Sequence, residues 1–381
     1  MITVVGVGAD GWDGLPETVR REVAEHDVLF GSARQLDLVP GGFERVPWPS
    51  PLLPALPGLL EAHRGRRMCV LASGDPMFHG IGSTLVRLLG VEEVRVLPHP
   101  SSVSLACARL GWPLDEVDVV SLVGKPASLL VPFLHPGRRL LVLGGVPADV
   151  ASVAGDARFT VLEQLGGPDE RIHHDLPSAD PLHVIAVECG RQGYSLVPGL
   201  PDDAYEHDGQ LTKREVRAVT LALLAPRPGE LLWDVGAGSG SIAIEWSRTH
   251  PTCRAICVER NTSRAARIER NAAALGVPRV RVVVGESPGV LDFATPDAVF
   301  LGGGLTAPGA LERCWDALAP GGRLVANAVT LESESVLVRY HRALGGSLTR
   351  VEVSRDAPVG GFTSWRPQLP VTIWHVVKEQ R

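Results

Sequence analysis

The chain has 381 residues, of which 45% are hydrophobic and 21% charged, and its formal net charge at pH 7 is −6. This composition is typical of a globular protein with enough apolar side chains for two or three domains, and a negative charge without any basic run predicts no binding to nucleic acid. Because the six cysteines are scattered and no run approaches the roughly 18 apolar residues of a membrane span, we expect no metal site, no membrane association and a cytoplasmic protein.

Strand-like and helix-like segments alternate along the whole chain, which predicts an α/β fold. In the first half, predicted strands at residues 2–5, 68–72 and 94–97 each end in a short loop that leads towards a helix. Open α/β sheets bind their ligands at such loops. Six residues of these loops are candidate cofactor contacts: Gly6, Gly8, Gly74, Asp75, Ser101 and Ser102. An alternative for Asp75, which precedes a proline, is a rigid turn without a ligand.

The composition changes between Gly190 and Gly209, where glycine, proline and acidic residues cluster. We place the domain boundary in this segment, with a first domain at residues 1–199 and a second at 200–381. The second domain opens with Thr212 and a glutamate three residues later, a spacing that predicts a capping box at the start of a helix.

The strongest motif of the second half is the glycine-rich turn at residues 234–240, which follows an apolar strand and leads into a helix. Glycine lets the backbone approach a ligand closely. A second strand ends at Glu259, where a ribose-binding acid is expected. The dinucleotide fingerprint favours glycine or alanine where Ser241 stands. The preceding Asp234 instead favours S-adenosylmethionine (SAM), since a carboxylate can face its cationic methionine end. A purely structural turn is the alternative.

The loops at residues 6–8, 74–76 and 100–102 together resemble the three SAM-contacting loops of the tetrapyrrole (corrin and uroporphyrinogen) methylases, a two-lobed α/β fold. The second half resembles a Rossmann-like class I SAM methyltransferase domain, through residues 209–213, the glycine-rich turn and residues 302–304. These two folds in this order, over nearly the whole chain, resemble the bifunctional precorrin-6Y C(5,15)-methyltransferase (decarboxylating) family.

The resemblance implies two SAM sites and a tetrapyrrole (precorrin) substrate. It implies methylation of precorrin-6B at carbon 5 by the first domain and at carbon 15 by the second, with decarboxylation of the ring C acetate, to give precorrin-8 for cobalamin synthesis. It also implies a homo-oligomer. Three alternatives stay open: the equivalent step on a cobalt-precorrin, an NAD-dependent oxidoreductase built on the second half, and a chain in which one half only binds or assembles.

The glycine-rich turn and the loops after the next two strands predict the SAM contacts of the second domain, and the resemblance adds Thr212. The methionine part is expected beside Asp234 and the turn glycines, the ribose at Glu259 and the adenine at the loop after the third strand. The expected contacts are Thr212, Asp234, Gly236, Gly238, Gly240, Glu259, Glu286 and Ser287. Thr212 has a plain helix cap as its alternative role.

A precorrin carries several carboxylates, so cationic partners are expected beside it. Lys213 and Arg217 stand four residues apart on a predicted helix and would share one face, which we expect to bind acetate or propionate arms; a solvated basic face is the alternative. His207 and Asp208, just before that helix, are the acid–base candidates for decarboxylation, with a loop role as the alternative.

A loop is expected at residues 360–367, before the last strand. Its Phe362, Trp365 and Arg366 are candidates for a flat wall against the macrocycle, with packing at the sheet edge as the alternative.

Overall fold

The computed structural model describes residues 1–175, 179–190 and 193–379. The chain forms two compact units, one of Met1–Ala127 with Pro136–Gln192 and one of Ser128–His135 with Gly193–Arg381. Each unit contains sheets accompanied by helices, which confirms the predicted α/β class. The sequence prediction sets the boundary seven residues later than this division. The segment between belongs with the second unit, because Arg248 donates to the carbonyl oxygen of Tyr194 at 3.1 Å and the Gly199 nitrogen donates to Glu245 Oε2 at 2.6 Å.

The first sheet of the first unit is parallel throughout, and its strand order is β3-β2-β4-β1-β5. Its strands are β1 (Ile2–Val7), β2 (Val28–Gly31), β3 (Glu44–Pro47), β4 (Met68–Ser73) and β5 (Val94–Leu97). Its helices are α1 (Glu17–Ala24), α2 (Ala33–Asp37), α3 (Leu52–Ala62), α4 (Ile81–Leu89) and α5 (Ser102–Leu110). All residues of β1 and β2 are buried, as expected of parallel strands covered on both faces. Because β4, β1 and β5 are neighbours, the three predicted cofactor loops meet at one edge.

The second lobe of this unit is a mixed sheet of order β6-β7-β10-β8-β9. It contains β6 (Val117–Ser121), β7 (Arg139–Leu143), β8 (Arg158–Glu163), β9 (Arg171–His173) and β10 (His183–Glu188), with helix α6 (Pro147–Ala154). Apolar residues of α5, among them Val103 and Ala106, share one core with Leu141, Leu162 and Val184 of this sheet. Helix α5 therefore joins the two lobes.

The second unit has a seven-stranded sheet of order β13-β12-β11-β14-β15-β19-β16, whose first five strands are parallel. The strands are β11 (Leu231–Val235), β12 (Arg254–Glu259), β13 (Arg281–Val284), β14 (Ala298–Leu301), β15 (Arg323–Ala328), β16 (Ser347–Val351) and β19 (Val371–Val377). Helices α7 (Arg214–Leu224), α8 (Ser241–Thr249), α9 (Thr262–Ala274), α10 (Ala310–Ala317) and α11 (Leu331–Leu344) accompany them. Separate apolar cores on the two faces bury this Rossmann-like sheet.

Two local predictions are wrong. Helix α7 begins at Arg214 with Lys213 as its N-cap and no side-chain cap, so the capping box is not formed, and the carbonyl of Thr212 accepts a bond from Arg217 instead. The segment expected to be a loop before the last strand is a hairpin of β17 (Ser354–Val359) and β18 (Phe362–Pro367). In the described ranges, no helix has both the length and the apolar character needed to cross a bilayer.

Candidate cofactor sites

The loops after β1, β4 and β5 approach one another so closely that side chains do not fit between them. A Cβ atom on Gly6 would overlap the carbonyl oxygen of Gly74 and stand 2.7 Å from the backbone nitrogen of His99. Gly74 itself has a φ of +59°, a left-handed conformation that favours glycine. The predicted convergence of the three loops is thus present in the fold.

A cleft opens beside these loops, and Gly8, Gly74 and Ser102 of the predicted contacts line it. The cleft has a volume of about 80 Å³, so a cofactor bound here would extend beyond it along the loops. Ser101 is the N-cap of α5 and accepts a bond from the Ser104 nitrogen at 3.1 Å. Asp75 accepts a hydrogen bond from the Met77 nitrogen at 2.8 Å. This bond closes a turn of the kind that the alternative role of Asp75 supposes.

Two further residues line this cleft that sequence reasoning missed, Arg34 and His183. Arg34 donates a hydrogen bond from Nη2 to the Ser73 hydroxyl at 2.9 Å. The ring nitrogens of His183 lie 2.5 Å from the carbonyl oxygen of Asp180 and 3.1 Å from that of Gly145. The sequence places Arg34 just after an apolar strand, β2, which is a typical position for a ligand contact. The sequence does not show that β2 lies next to β4, because that depends on the order of strands in the sheet.

In the second unit, Asp234 lies at the end of β11 with 1% of its surface exposed. Its Oδ2 accepts a bond from the Ala243 nitrogen at 3.1 Å, whereas its Oδ1 is buried and has no hydrogen-bond partner among the described residues. Burial raises the pKa of Asp234, the Ala243 N–H opposes the rise and the charge of Glu259 adds to it, with a net value of about 7. A buried carboxylate oxygen without a partner fits a cationic ligand group.

The glycines of the turn after β11 all have left-handed conformations, with φ of +73° at Gly236, +60° at Gly238 and +78° at Gly240. A Cβ atom on Gly236 would stand 2.6 Å from the Cα of Gly303 in the loop after β14. The two loops are therefore in backbone contact, and a larger residue at 236 would force them apart.

Glu259 is buried at the end of β12 and connects two loops. Its Oε2 accepts a bond from the Gly238 nitrogen at 2.9 Å and its Oε1 one from the Asn261 nitrogen at 3.0 Å. Each carboxylate oxygen has a second lone pair with which to accept from a ligand hydroxyl. In the following loop, the Ser287 hydroxyl is buried without a partner in the part of the chain that the structure describes, while Glu286 is exposed beside Arg260.

A cavity of about 520 Å³ lies against this turn, within the range of about 300–1,000 Å³ usual for ligand pockets. Thr212, Lys213, Gly236 and Gly238 line it. So does Asn327, whose Nδ2 donates to the Thr220 hydroxyl at 2.9 Å and whose Oδ1 is buried without a partner within the described ranges. The turn therefore borders a space large enough for a nucleotide-like cofactor and part of a second ligand.

The prediction that Arg217 shares a substrate-binding face with Lys213 is wrong. Arg217 is 0% exposed. Its guanidinium donates to Glu245 Oε1 at 2.5 Å, to Asp202 Oδ1 at 3.2 Å and to the carbonyl oxygens of Thr212 and Leu200. The guanidinium of Arg217 therefore has its partners inside the unit and is not available to a substrate, because this face of α7 packs against α8. Lys213 does line the cavity, with its Nζ 3.9 Å from Asp202 Oδ2.

The acid–base candidates before α7 do not line the cavity. Asp208 is paired with Arg264 at 2.8 Å and Arg267 at 3.3 Å. The hydrogen bond from Arg264 and that from the Gln210 backbone hold the pKa of Asp208 far below its usual range. Asp208 is therefore a permanent carboxylate, which contradicts a proton-donating role. His207 is exposed and accepts a bond from the Gly209 nitrogen at 3.1 Å, as its loop alternative supposes.

The aromatic wall proposed from the sequence is not part of the cavity lining either. Phe362 is 84% and Trp365 73% exposed, both on hairpin strand β18. Within the described ranges, no group of three or more metal-ligating side chains is found.

Comparisons with known proteins match both halves of the chain. A family model described as Tetrapyrrole (Corrin/Porphyrin) Methylases matches residues 1–178, and one described as Precorrin methyltransferase domain matches residues 203–378. A precorrin-6Y C(5,15)-methyltransferase [decarboxylating] of Sinorhizobium sp is 47% identical, over 99% of this chain and 96% of its own. The protein of the same name from Mycobacterium tuberculosis (strain ATCC 25618 / H37Rv) is 48% identical, over 99% and 100%. The crystal structure of the C-terminal domain of precorrin-6Y C5,15-methyltransferase from Rhodobacter capsulatus is 45% identical and covers 49% of this chain and 100% of its own, with a TM-score of 0.46.

Proposed function

The chain belongs to the precorrin-6Y C(5,15)-methyltransferase (decarboxylating) family, and on this basis we propose that it transfers methyl groups to carbons 5 and 15 of precorrin-6B and removes the ring C acetate carboxylate as carbon dioxide. The members of this family are SAM-dependent methyltransferases, so the oxidoreductase alternative is wrong. Both full-length relatives are named for a precorrin and not for a cobalt-precorrin, which supports a substrate without cobalt.

The observation that best supports a double reaction is that each unit has its own glycine-lined cleft. We assign methylation at carbon 5 to the first unit, and methylation at carbon 15 together with decarboxylation to the second. Each unit would bind one SAM molecule. The product would be precorrin-8.

When bound, SAM supplies a methyl group on a positively charged sulfur, ready for in-line transfer to a nucleophilic carbon. In the second unit, the open Oδ1 of Asp234 would face the cationic methionine part, and Glu259 would accept from the ribose hydroxyls. The glycine turn would hold the reacting parts in line, and positioning of this kind can contribute roughly 7–11 kcal/mol.

Decarboxylation leaves an electron pair that the conjugated macrocycle must absorb. Lys213 lines the cavity and its contact with Asp202 is long at 3.9 Å, so its ammonium can pair with a substrate carboxylate instead. We propose this carboxylate-binding role for Lys213.

We further propose that the protein forms a homo-oligomer. The hairpin β17–β18 exposes three large apolar side chains, Val359, Phe362 and Trp365, and exposed apolar groups of this kind are typical of an interaction surface.

Calorimetric titration with SAM tests the two-site proposal. We expect two equivalents per wild-type chain and one for Gly6→Ala, because the added methyl group would overlap the Gly74 backbone and separate the loops of the first cleft. Gly58→Ala is the matched control, since a Cβ there meets nothing within 4 Å, and it should bind two equivalents. A wild type that binds a single equivalent would overturn the two-site proposal, and an unchanged Gly6→Ala would place the first site elsewhere.

A further inference from the structure

The side chain of Arg34 is held at the first-unit cleft by a rigid local structure. Strand β2 ends at Gly31, and Ser32 then caps α2 in a capping box with Gln35. Both Arg34 and Gln35 donate to the Ser73 hydroxyl, at 2.9 and 3.0 Å. Since Ser73 ends β4 and precedes Gly74, Arg34 lies beside a cofactor loop.

Arg34 differs from most arginines of its unit in having no carboxylate partner. Ten of those that the structure describes form ion pairs within 4 Å: Arg21, Arg64, Arg66, Arg67, Arg95, Arg109, Arg138, Arg139, Arg158 and Arg171. Among the described residues, no carboxylate lies that close to Arg34. Of the described residues that line the cleft, it is also the one arginine.

The partial burial of Arg34 is energetically unfavourable for a cation that has no anionic partner. Its side chain is half-buried, and burial lowers the pKa of the guanidinium, while the more distant charge of Asp180 opposes the change. A guanidinium has five N–H donors arranged to match a carboxylate, and a single hydrogen bond to a neutral hydroxyl uses one of them. An incoming carboxylate would satisfy both the charge and the free donors.

The rest of the cleft indicates what carries that carboxylate. Much of the remaining lining is apolar, with Leu105, Leu162, Leu165 and Val184. Apolar walls with one charged group suit a ligand with an apolar body and a carboxylate arm. On the basis of the proposed function, we propose that Arg34 binds a carboxylate in the first-unit cleft, and that this carboxylate belongs to an acetate or propionate arm of the tetrapyrrole. SAM also carries a carboxylate, so the test must separate the two sources.

The test compares full-length Arg34→Gln and Arg34→Lys with the wild type in the two successive methyl additions. Glutamine can keep the bond to Ser73 but has no charge, and we expect it to raise the KM for the tetrapyrrole roughly 10- to 100-fold in the addition made by the first unit, as for loss of a charged hydrogen bond. The addition made by the second unit should not change. Lysine keeps the charge and should recover part of the loss. Arg64→Gln, at an exposed arginine paired with Glu61, is the control and should match the wild type.

A second titration identifies the source of the carboxylate. SAM binding is measured in full-length protein carrying Asp234→Asn, with and without Arg34→Gln, so that the first cleft dominates. An unchanged SAM affinity together with the raised KM supports the substrate arm, whereas a SAM affinity that falls by the same factor overturns it in favour of the cofactor carboxylate. If neither quantity changes while the wild type adds two methyl groups, the proposal is wrong. If the wild type adds no second methyl group, the proposed function fails, and the KM for the tetrapyrrole can no longer report on the first unit. In that case SAM is the one remaining carboxylate ligand, and a SAM affinity that Arg34→Gln leaves unchanged overturns a carboxylate-binding role for Arg34.

Discussion

Asp234→Asn is expected to reduce methylation at carbon 15 strongly at SAM concentrations near the wild-type Kd, while SAM binding to the first unit persists. The substitution keeps the shape of the side chain but removes the charge whose free Oδ1 would face the cationic end of SAM. Loss of one partner from a buried charge pair costs about 2–5 kcal/mol, so SAM affinity at the second cleft should fall roughly 30-fold or more. The measurement is calorimetric titration combined with mass analysis of the tetrapyrrole product. Asp292→Asn, at a fully exposed side chain, is the control.

The raised pKa of Asp234 adds a pH dependence to this prediction. Its value of about 7, caused first by burial, means that the carboxyl group becomes ionised as pH rises through 7. SAM affinity at the second cleft should therefore rise between pH 6 and pH 8, and Asp234→Asn should remove that rise. Equal wild-type affinity at the two pH values would contradict the assignment of Asp234 to the cationic part of the cofactor.

The same shift predicts an effect on stability without cofactor. The folded-state pKa of Asp234 lies above the unfolded value of 3.8, so the stability that protonation contributes is complete below pH 3.8 and is lost as pH rises through 7. Asparagine avoids this loss. Asp234→Asn should therefore raise the Tm more at pH 8 than at pH 5, although it removes the cofactor site.

Arg217→Leu is expected to destabilise the second unit by about 3–5 kcal/mol, the usual cost of removing one partner from a buried ion pair. Leucine would leave the buried Glu245 carboxylate without its cation and the carbonyl of Thr212 without its donor. Urea denaturation measures the loss. Arg214→Leu, on an exposed position of the same helix, should change the free energy of unfolding little. Normal stability of Arg217→Leu with a raised KM for the tetrapyrrole would instead restore the substrate-binding role predicted from the sequence.

The contrast between Asp234 and Arg217 shows which parts of the site could be predicted. Asp234 and the glycines at 236, 238 and 240 belong to one strand–turn–helix segment, whose local conformation the residue types nearly determine, so its position at a cavity follows from the sequence. The direction of Arg217 depends on Glu245, 28 residues away. The spacing from Lys213 could not reveal that partner.

Arg34 was missed for a related reason. Its place at the cleft depends on the order β3-β2-β4-β1-β5, which brings the end of β2 next to β4. Chain order alone leaves that neighbour unknown, since β2 and β4 are separated by β3 in the sequence. The loops after β1, β4 and β5 could be predicted as cofactor contacts, because the three together resemble the SAM-contacting loops of the tetrapyrrole methylases.

The most direct test of the account is mass analysis of precorrin-6B after incubation of the full-length protein with SAM labelled in its methyl group. Two units, each with its own cleft, predict a product that has gained two labelled methyl groups and lost one carbon dioxide. A product with one labelled methyl group, or with two and no loss of carbon dioxide, would contradict it.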